Sequence, residues 1–297
     1  MSAALEQRVA AQLAVPVHPG VAAFAARLAV KAGADAALFY GSNLRTGELE
    51  GVLDFYLLMP GPQQEKIWPL VSYHEWQHEG TELRAKVAAM SMEKFAQAAS
   101  GQSRDTTIWA RFVQPSALVW QSGDTARGPV AAAIESAAKT AARLAAALGP
   151  ESGTEDEYWR ALFQATYRAE FRVEKAGRED SILSLNRKHF EGLFPAALTA
   201  QGIEFSVHGN RISIARSPDW RRKVLNWWNK RRRYGKPLNL IRLAKASTTF
   251  EGAGRYAAWK VERHTGVPVE VTPWREKHPI LAAPGVLFKI WKSRRRS

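Results

Sequence analysis

The stretch Ala36-Ala37-Leu38-Phe39-Tyr40-Gly41-Ser42-Asn43, with Val52-Leu53-Asp54-Phe55-Tyr56-Leu57-Leu58 just after it, decides how this chain is read. Residues 36–40 are an apolar run closed by a glycine, the pattern of a short buried strand ending in a sharp turn. A glycine at 41 lets the backbone approach a ligand closely, and the Ser42 hydroxyl with nearby amides can hold anionic oxygens. Tyr40 and Asn43 flank that turn. The second run is a strand carrying one carboxylate, Asp54, among apolar neighbours. A carboxylate beside an anion-binding turn can hold Mg²⁺ against the bound oxygens. Glu50, four residues before Asp54, shares its face if the strand begins that early. The competing reading of Asp54 is a structural cap or ion pair.

Working outward, residues 3–14 and 20–32 read as two helices separated by Pro16-Val17-His18-Pro19. Residues 63–80 read as irregular, with His74, Trp76 and His78. The two histidines are spaced i, i+4, but without cysteines or an HExxH pattern zinc is not expected. A strand over 83–90 places Lys86 in an apolar run, where a bound phosphate would neutralise it; on an edge strand it would need no such partner. A helix over 92–99 and a loop over 101–105 follow. Residues 107–112 read as a strand closed by Gln114-Pro115, with Arg111 on it as a phosphate ligand or internal ion pair, and 117–120 extend it. This alternation gives an α/β class with a mixed sheet.

Residues 130–148 form an alanine-rich helix, and Gly149 to Gly153 is the best interior boundary. Residues 155–171 and 186–200 read as helices, and 203–214 as a hairpin turning at His208-Gly209-Asn210. Helices over 219–233, 237–246 and 256–264 follow. The expected division is 1–149, an α/β domain; 150–215, a mainly helical unit of winged-helix type; and 216–297, a basic, tryptophan-bearing region.

Charge is unevenly spread. Residues 1–150 hold 13 Lys/Arg and 13 Asp/Glu, and residues 151–297 hold 29 against 15, so the second half carries the whole net charge of +14. An anionic partner is expected there: nucleotide phosphates, nucleic acid or an acidic membrane surface. Trp227 and Trp228 are interleaved with Arg221, Arg222, Arg231, Arg232 and Arg233, and the tail carries Trp291, Arg294, Arg295 and Arg296. Such a pattern suits stacking on single-stranded bases or an interfacial membrane contact; a packed helix with a solvated basic face is the plain alternative. The chain has no cysteine, which removes disulfides, thiolate metal sites and a thiol nucleophile. No apolar run reaches membrane-spanning length, and residues 1–17 lack a signal peptide's basic start and long apolar core, so export is not expected.

The turn followed by the acidic strand resembles the active-site order of polymerase-β-type nucleotidyltransferases, although Tyr56 stands where that pattern has its second carboxylate. A longer collinear series resembles the mitochondrial-type phosphatidate cytidylyltransferases, the translocator-assembly-and-maintenance family, over roughly residues 36 to 265. It comprises Tyr40-Gly41-Ser42, Leu53-Asp54-Phe55, the segment from Lys86 to Ser91, Ala110-Arg111-Phe112-Val113-Gln114-Pro115, Thr166-Tyr167-Arg168-Ala169-Glu170-Phe171-Arg172, Asn186 with Phe190, Leu240-Ile241-Arg242-Leu243, and Gly252. The resemblance implies a nucleotidyltransferase domain joined to a winged-helix-like domain and a basic C-terminal region. It implies Mg²⁺-dependent synthesis of CDP-diacylglycerol from CTP and phosphatidic acid by a peripheral protein on the inner face of the cell membrane. It places Gly41 and Ser42 at the triphosphate, Asp54 at the metal and Lys86 and Arg111 at anionic groups. Glu170, Arg172 and Asn186 would complete the site between domains. Gln114 departs from the family's usual lysine. An RNA nucleotidyltransferase, or a catalytically inactive basic adaptor, is the alternative, and the resemblance points away from nucleic acid.

Overall fold

Alternating apolar side chains build the central sheet. The computed structural model describes residues 3–169, 178–249, 251–265 and 269–274. Helices α1 (Ala3–Leu13) and α2 (Pro19–Ala32) come first. The His18 side chain accepts from the Gly20 amide, Pro19 opens α2, and Gly33 closes it at φ +67°. Strand β1 (Ala36–Tyr40), the short helix α3 (Ser42–Thr46), β2 (Leu53–Met59), β3 (Leu70–His78) and β4 (Thr81–Ser91) follow. Next come α4 (Met92–Ala99), α5 (Thr107–Phe112), β5 (Ser116–Gln121) and the long α6 (Arg127–Leu148). The strands form one five-stranded sheet in the order β3-β4-β2-β1-β5. Strands β2 and β4 run parallel and the other pairs antiparallel. The protein is therefore an α/β structure on a mixed sheet.

Each face of the sheet has its own core. Phe39, Leu53, Phe55 and Leu57 point to one side, where Val21, Phe24 and Leu28 of α2 cover them. Leu38, Tyr56, Leu58 and Met90 point to the other, against Phe95 of α4, Ile108, Trp109 and Phe112 of α5, and α6. The alanines of α6 are almost all buried, and small side chains let the other helices and the sheet approach closely. Each fully buried aromatic contributes roughly 1.5–3 kcal/mol of hydrophobic stabilisation.

The second half builds on the same core. Strand β6 (Ser152–Gly153) leads into α7 (Glu155–Ala169), whose start is a capping box: the Thr154 amide donates to Glu157 at 2.7 Å and the Glu157 amide to Thr154 Oγ1 at 3.3 Å. Helices α8 (Arg178–Leu185), α9 (Arg187–Phe190) and α10 (Leu193–Thr199) follow. The hairpin of β7 (Phe205–His208) and β8 (Arg211–Ile214) joins β6 in a three-stranded sheet. Helices α11 (Pro218–Thr249) and α12 (Ala253–Thr265) complete the described chain. One buried cluster runs from Leu5 through Trp159 and Phe194 to Trp228, so the core is continuous across positions 149 and 150. Among the described residues no helix is long and apolar enough to cross a membrane.

Four sequence readings are corrected. Residues 107–112 are a helix rather than a strand: Ile108, Trp109 and Phe112 fall on one helical stripe and are buried. Residues 70–78 within the supposedly irregular 63–80 are a strand, paired along its whole length with β4. The helix expected over 186–200 breaks at Gly192, which takes φ +73°. The two helices expected on either side of Pro237 are one. A proline removes one helical hydrogen bond, but tertiary contacts hold the helix through it. Gly235 lies so close to the Ala169 carbonyl that a Cβ there would be 2.3 Å from the oxygen. Beyond the proline, Arg242 and Lys245 are both tied to the sheet domain.

Candidate functional site

Strand register brings the polar residues of the first half together. Tyr40, the last residue of β1, lies opposite Asp54 on β2, and Asp54 lies beside Lys86 on β4. All three project to the face that buries Tyr56 and Leu58, but they sit at its end, beyond full cover from the helices. Arg111, in the last turn of α5, reaches the same place, its guanidinium 5.3 Å from the centroid of the Tyr40 ring. Arg111 thus belongs to the site although its element was misread; a helix over the strand ends delivers it as well as a neighbouring strand would.

Gly41 is forced by this geometry. Its φ is +95°, and a Cβ at this position would lie 3.1 Å from Asp54 Oδ2. The turn therefore crosses directly over the carboxylate. Ser42 is exposed beside it and lines the cavity below. Asn43 instead orders the following loop, donating to the carbonyls of Glu48 at 3.0 Å and Glu50 at 2.8 Å. Glu50 is exposed and precedes β2, which begins at Leu53, so strand alternation does not carry it to Asp54's face. Asn186 is buried and donates to the Ile182 carbonyl at 2.7 Å, a helix-packing role rather than a place in the cavity. Glu170 and Arg172 lie outside the described residues, as do Trp291, Arg294, Arg295 and Arg296.

Two cavities meet at Tyr40 and Arg111. One, of about 240 Å³, is lined by Gly41, Ser42, Arg45, Asp54, Arg111 and Gln114, and is closed by Tyr167, Ser181, Ile182 and Leu185 from the helical half. The other, of about 190 Å³, is lined by Tyr56, Lys86, Arg111, Asn239, Arg242 and Lys245 among others. Arg45 and the α8 residues gave no chemical pattern in sequence, and Tyr167 stood in the resembling series without an assigned role. Arg242 and Lys245 are three positions apart on α11, a helical spacing that could have marked them.

Burial tunes the charged pair. It pushes the Asp54 carboxyl above its ordinary range, a shift that Lys86 and then Arg111 partly offset. It likewise lowers the Lys86 ammonium, with Asp54 opposing the shift. Each charged form is held at a cost that a ligand of opposite sign would relieve, a common property of functional clefts. Among the described residues lining either cavity Asp54 is the only carboxylate. Among the described residues no three His, Asp or Glu side chains are grouped to hold a metal by themselves. Mg²⁺ is nevertheless commonly bound by one or two carboxylates completed by substrate phosphates and water, and Asp54 beside the Gly41-Ser42 turn fits that donor set. His74 and His78 stand four apart on β3 rather than on a helix, about 13 Å apart along the strand, and His74 bonds Ser72 Oγ at 2.8 Å.

The tryptophan-bearing helix is a packed one. Trp228 is 3% exposed. Trp227 donates its indole N–H to the Gly101 carbonyl at 3.2 Å, and the guanidiniums of Arg143 and Arg231 lie 5.1 and 4.2 Å from its ring centroid. Arg231 itself donates to the carbonyls of Gly101 and Ser103. Arg221 donates to the Ala147 carbonyl, at the C-terminal end of α6 where a cation is favoured. These placements correct the surface role expected of Trp227, Trp228 and Arg231: Trp228 is buried, and Trp227 and Arg231 are half-buried and bonded to the 101–103 loop. Arg222, Arg232 and Arg233 are exposed.

No protein-family model matches this chain, and no curated protein sequence matches it either.

Proposed function

We propose that this chain is a nucleotidyltransferase which moves a cytidylyl group from CTP to a lipid phosphate, with phosphatidic acid as the first acceptor to test. The observation that carries the reading is the gathering of the Gly41-Ser42 turn, Asp54 and Arg111 around one cavity, with Lys86 beside Asp54 on the neighbouring strand. The four come from separate segments, and each has the chemistry a triphosphate site requires. CTP and the lipid acceptor come from the sequence resemblance, as do the polymerase-β-type assignment of the sheet domain and the winged-helix assignment of the helical half.

In this reading the Gly41-Ser42 turn holds the triphosphate, and Asp54 would hold Mg²⁺, which when bound neutralises phosphate charge. Arg111 and Lys86 stabilise the charge that develops on the equatorial oxygens. An acceptor phosphate oxygen attacks the α-phosphorus, the bond to the β-phosphate breaks, and pyrophosphate leaves. The acceptor is already an anion, so no side chain must remove a proton. Catalysis comes from positioning and charge. The exposed arginines of α11, with Leu240 and Ile241 exposed beyond them, support approach to an anionic membrane surface.

The test is an assay of purified protein with CTP, Mg²⁺ and phosphatidic acid micelles, following pyrophosphate and CDP-diacylglycerol together. Both should appear in equal amounts and fall at least about 100-fold in Asp54→Asn, which removes the charge while keeping the shape. Product formation unaffected by Asp54→Asn would overturn the site, and absence of both products with every lipid phosphate tried would overturn the reaction.

A further inference from the structure

Helix α12 lies against the same face of the sheet as Asp54. Pairing sets Tyr73 of β3 beside Lys86 of β4, and Lys86 beside Asp54 of β2, so the three share one face. The Tyr73 amide donates to the Glu251 carbonyl at 2.8 Å, just before α12 begins, and the Tyr73 and Tyr256 rings meet with centroids 5.4 Å apart. Arg255 pairs with Glu75, two residues along β3, at 3.8 Å. Towards its other end α12 brings Arg263 to the loop that joins the Gly41-Ser42 turn to β2. A Cβ on Gly51 would lie 3.1 Å from Arg263 Nη1 and 3.9 Å from Asn43 Nδ2. The helix therefore passes from the row that holds Lys86 to the residue that follows Ser42.

Two cations stand on this helix, each one turn after an aromatic ring. The Lys260 ammonium is 5.8 Å from the centroid of Tyr256 and the Arg263 guanidinium 5.3 Å from that of Trp259, and the two rings stack with centroids 6.4 Å apart. A spacing of four places each cation over its ring, which orients two exposed side chains. Among the described residues neither cation enters an ion pair. The Lys86 ammonium, lowered first by burial, is lowered further by Lys260, and the Tyr256 phenol, raised first by burial, is raised further by Asp54. Lys260 thus adds positive charge where Lys86 already stands, an arrangement that an anionic ligand relieves.

We propose that α12 is a wall of the site, and that Lys260 and Arg263 bind the β- and γ-phosphates of the nucleotide. The inference rests on the nucleotidyltransferase reading of the Gly41-Ser42 turn and Asp54. In that reading the turn holds the phosphate chain, and Arg263 meets the loop that the turn opens. When the acceptor oxygen bonds to the α-phosphorus, the bond from that phosphorus to the bridging oxygen breaks and its electron pair stays with pyrophosphate. Cations placed on pyrophosphate stabilise this growing charge, so both side chains act on turnover as well as on binding.

Calorimetric titration in the presence of Mg²⁺ tests the assignment. Pyrophosphate, a non-hydrolysable α,β-methylene analogue of CTP, CMP and dihexanoyl phosphatidic acid are each titrated into the full chain as wild type, Lys260→Gln, Arg263→Gln and Arg232→Gln. Arg232, exposed on α11, controls for the loss of one positive charge. Lys260 and Arg263 are exposed, so their variants should keep the melting midpoint within about 2 °C of wild type. Each should weaken pyrophosphate and the CTP analogue by the same factor, about tenfold, and leave CMP and phosphatidic acid within about twofold. Arg232→Gln should leave every ligand within about twofold, because an exposed charge at a distance is screened. A CTP analogue bound equally by all four proteins would overturn the role of α12 and leave the nucleotidyltransferase reading intact. Equal weakening of CMP or phosphatidic acid, or the same loss in Arg232→Gln, would overturn the assignment to the terminal phosphates. Pyrophosphate binding that depends on Lys260 and Arg263, in a protein that fails to bind the CTP analogue, would instead overturn the nucleotidyltransferase reading and leave α12 as an anion site.

Discussion

Replacing Gly41 by alanine tests whether the turn and the carboxylate form one unit. At φ +95° and ψ −163° the backbone occupies a region open essentially to glycine alone, which costs a side-chain-bearing residue of order 1–3 kcal/mol. The added Cβ would also meet Asp54 Oδ2 at 3.1 Å, so the carboxylate must give by a few tenths of an ångström. Asp54 is fixed at its Cα by pairing on both sides, with Tyr40 and with Lys86; the displacement therefore falls on the side chain that would face the metal. Gly47 is the matched control: its φ is +71°, but a Cβ there meets nothing within 4 Å, so Gly47→Ala carries only the left-handed backbone cost of about 1–2 kcal/mol. Thermal unfolding should show Gly41→Ala lowered by several degrees, at about 2–4 °C per kcal/mol for a chain of this size. In the CTP and phosphatidic acid assay Gly41→Ala should lose about 100-fold, while Gly47→Ala stays within about twofold. Equal behaviour of the two variants in both measurements would refute the claim that Gly41 exists to pass over Asp54.

The remaining predictions concern what holds this site in place. Arg242→Ala strands the buried carboxylate of Asp105 and should cost about 3–5 kcal/mol in urea unfolding, whereas Arg222→Ala, which breaks an exposed pair with Asp219, should cost under about 1 kcal/mol. Trp228→Ala empties a buried position against Trp109 and should cost about 3–5 kcal/mol; if instead it abolished binding to anionic vesicles with stability intact, the packing role would be wrong. His189 donates Nε2–H to the Val113 carbonyl at 2.8 Å, and burial lowers its imidazole to about 4. The unfolded chain then binds a proton that the folded one does not, so about 2–3 kcal/mol of stability present above pH 6.5 is lost as pH falls to 4. His189→Gln should flatten that part of the stability–pH curve, and an unchanged slope would count against it.

How much was legible depended on whether a signal was local. The helix beginning at 155 and the hairpin turning at Gly209 rest on short-range chemistry, and both were read from residue type and spacing. Residues 107–112 are fewer than two turns of helix, whose apolar residues satisfy either period over so short a window, and only the burial of Ile108, Trp109 and Phe112 against α4 and α6 selects one. The same limit applies to Pro237: its intrinsic cost argued for two helices, and the contacts of Gly235, Arg242 and Lys245 with distant residues outweigh it. Trp227 and Trp228 read as a surface because their neighbours are basic. Yet those cations include Arg231, whose guanidinium is spent on the backbone of the 101–103 loop.

By itself the sequence determined the strand, glycine turn and acidic strand of the first half, the α/β alternation, and the concentration of positive charge in the second half. Those follow from residue type, spacing of two or 3.6, and the conformational freedom of one glycine. Tertiary structure alone decided which charges meet. Asp54 and Lys86 are neighbours only because β2 and β4 pair in parallel, Arg111 joins them from a helix, and Arg242 and Lys245 reach the second cavity across more than 130 positions of chain. Electrostatic and packing energies depend on distance in space, and distance along the chain does not supply it.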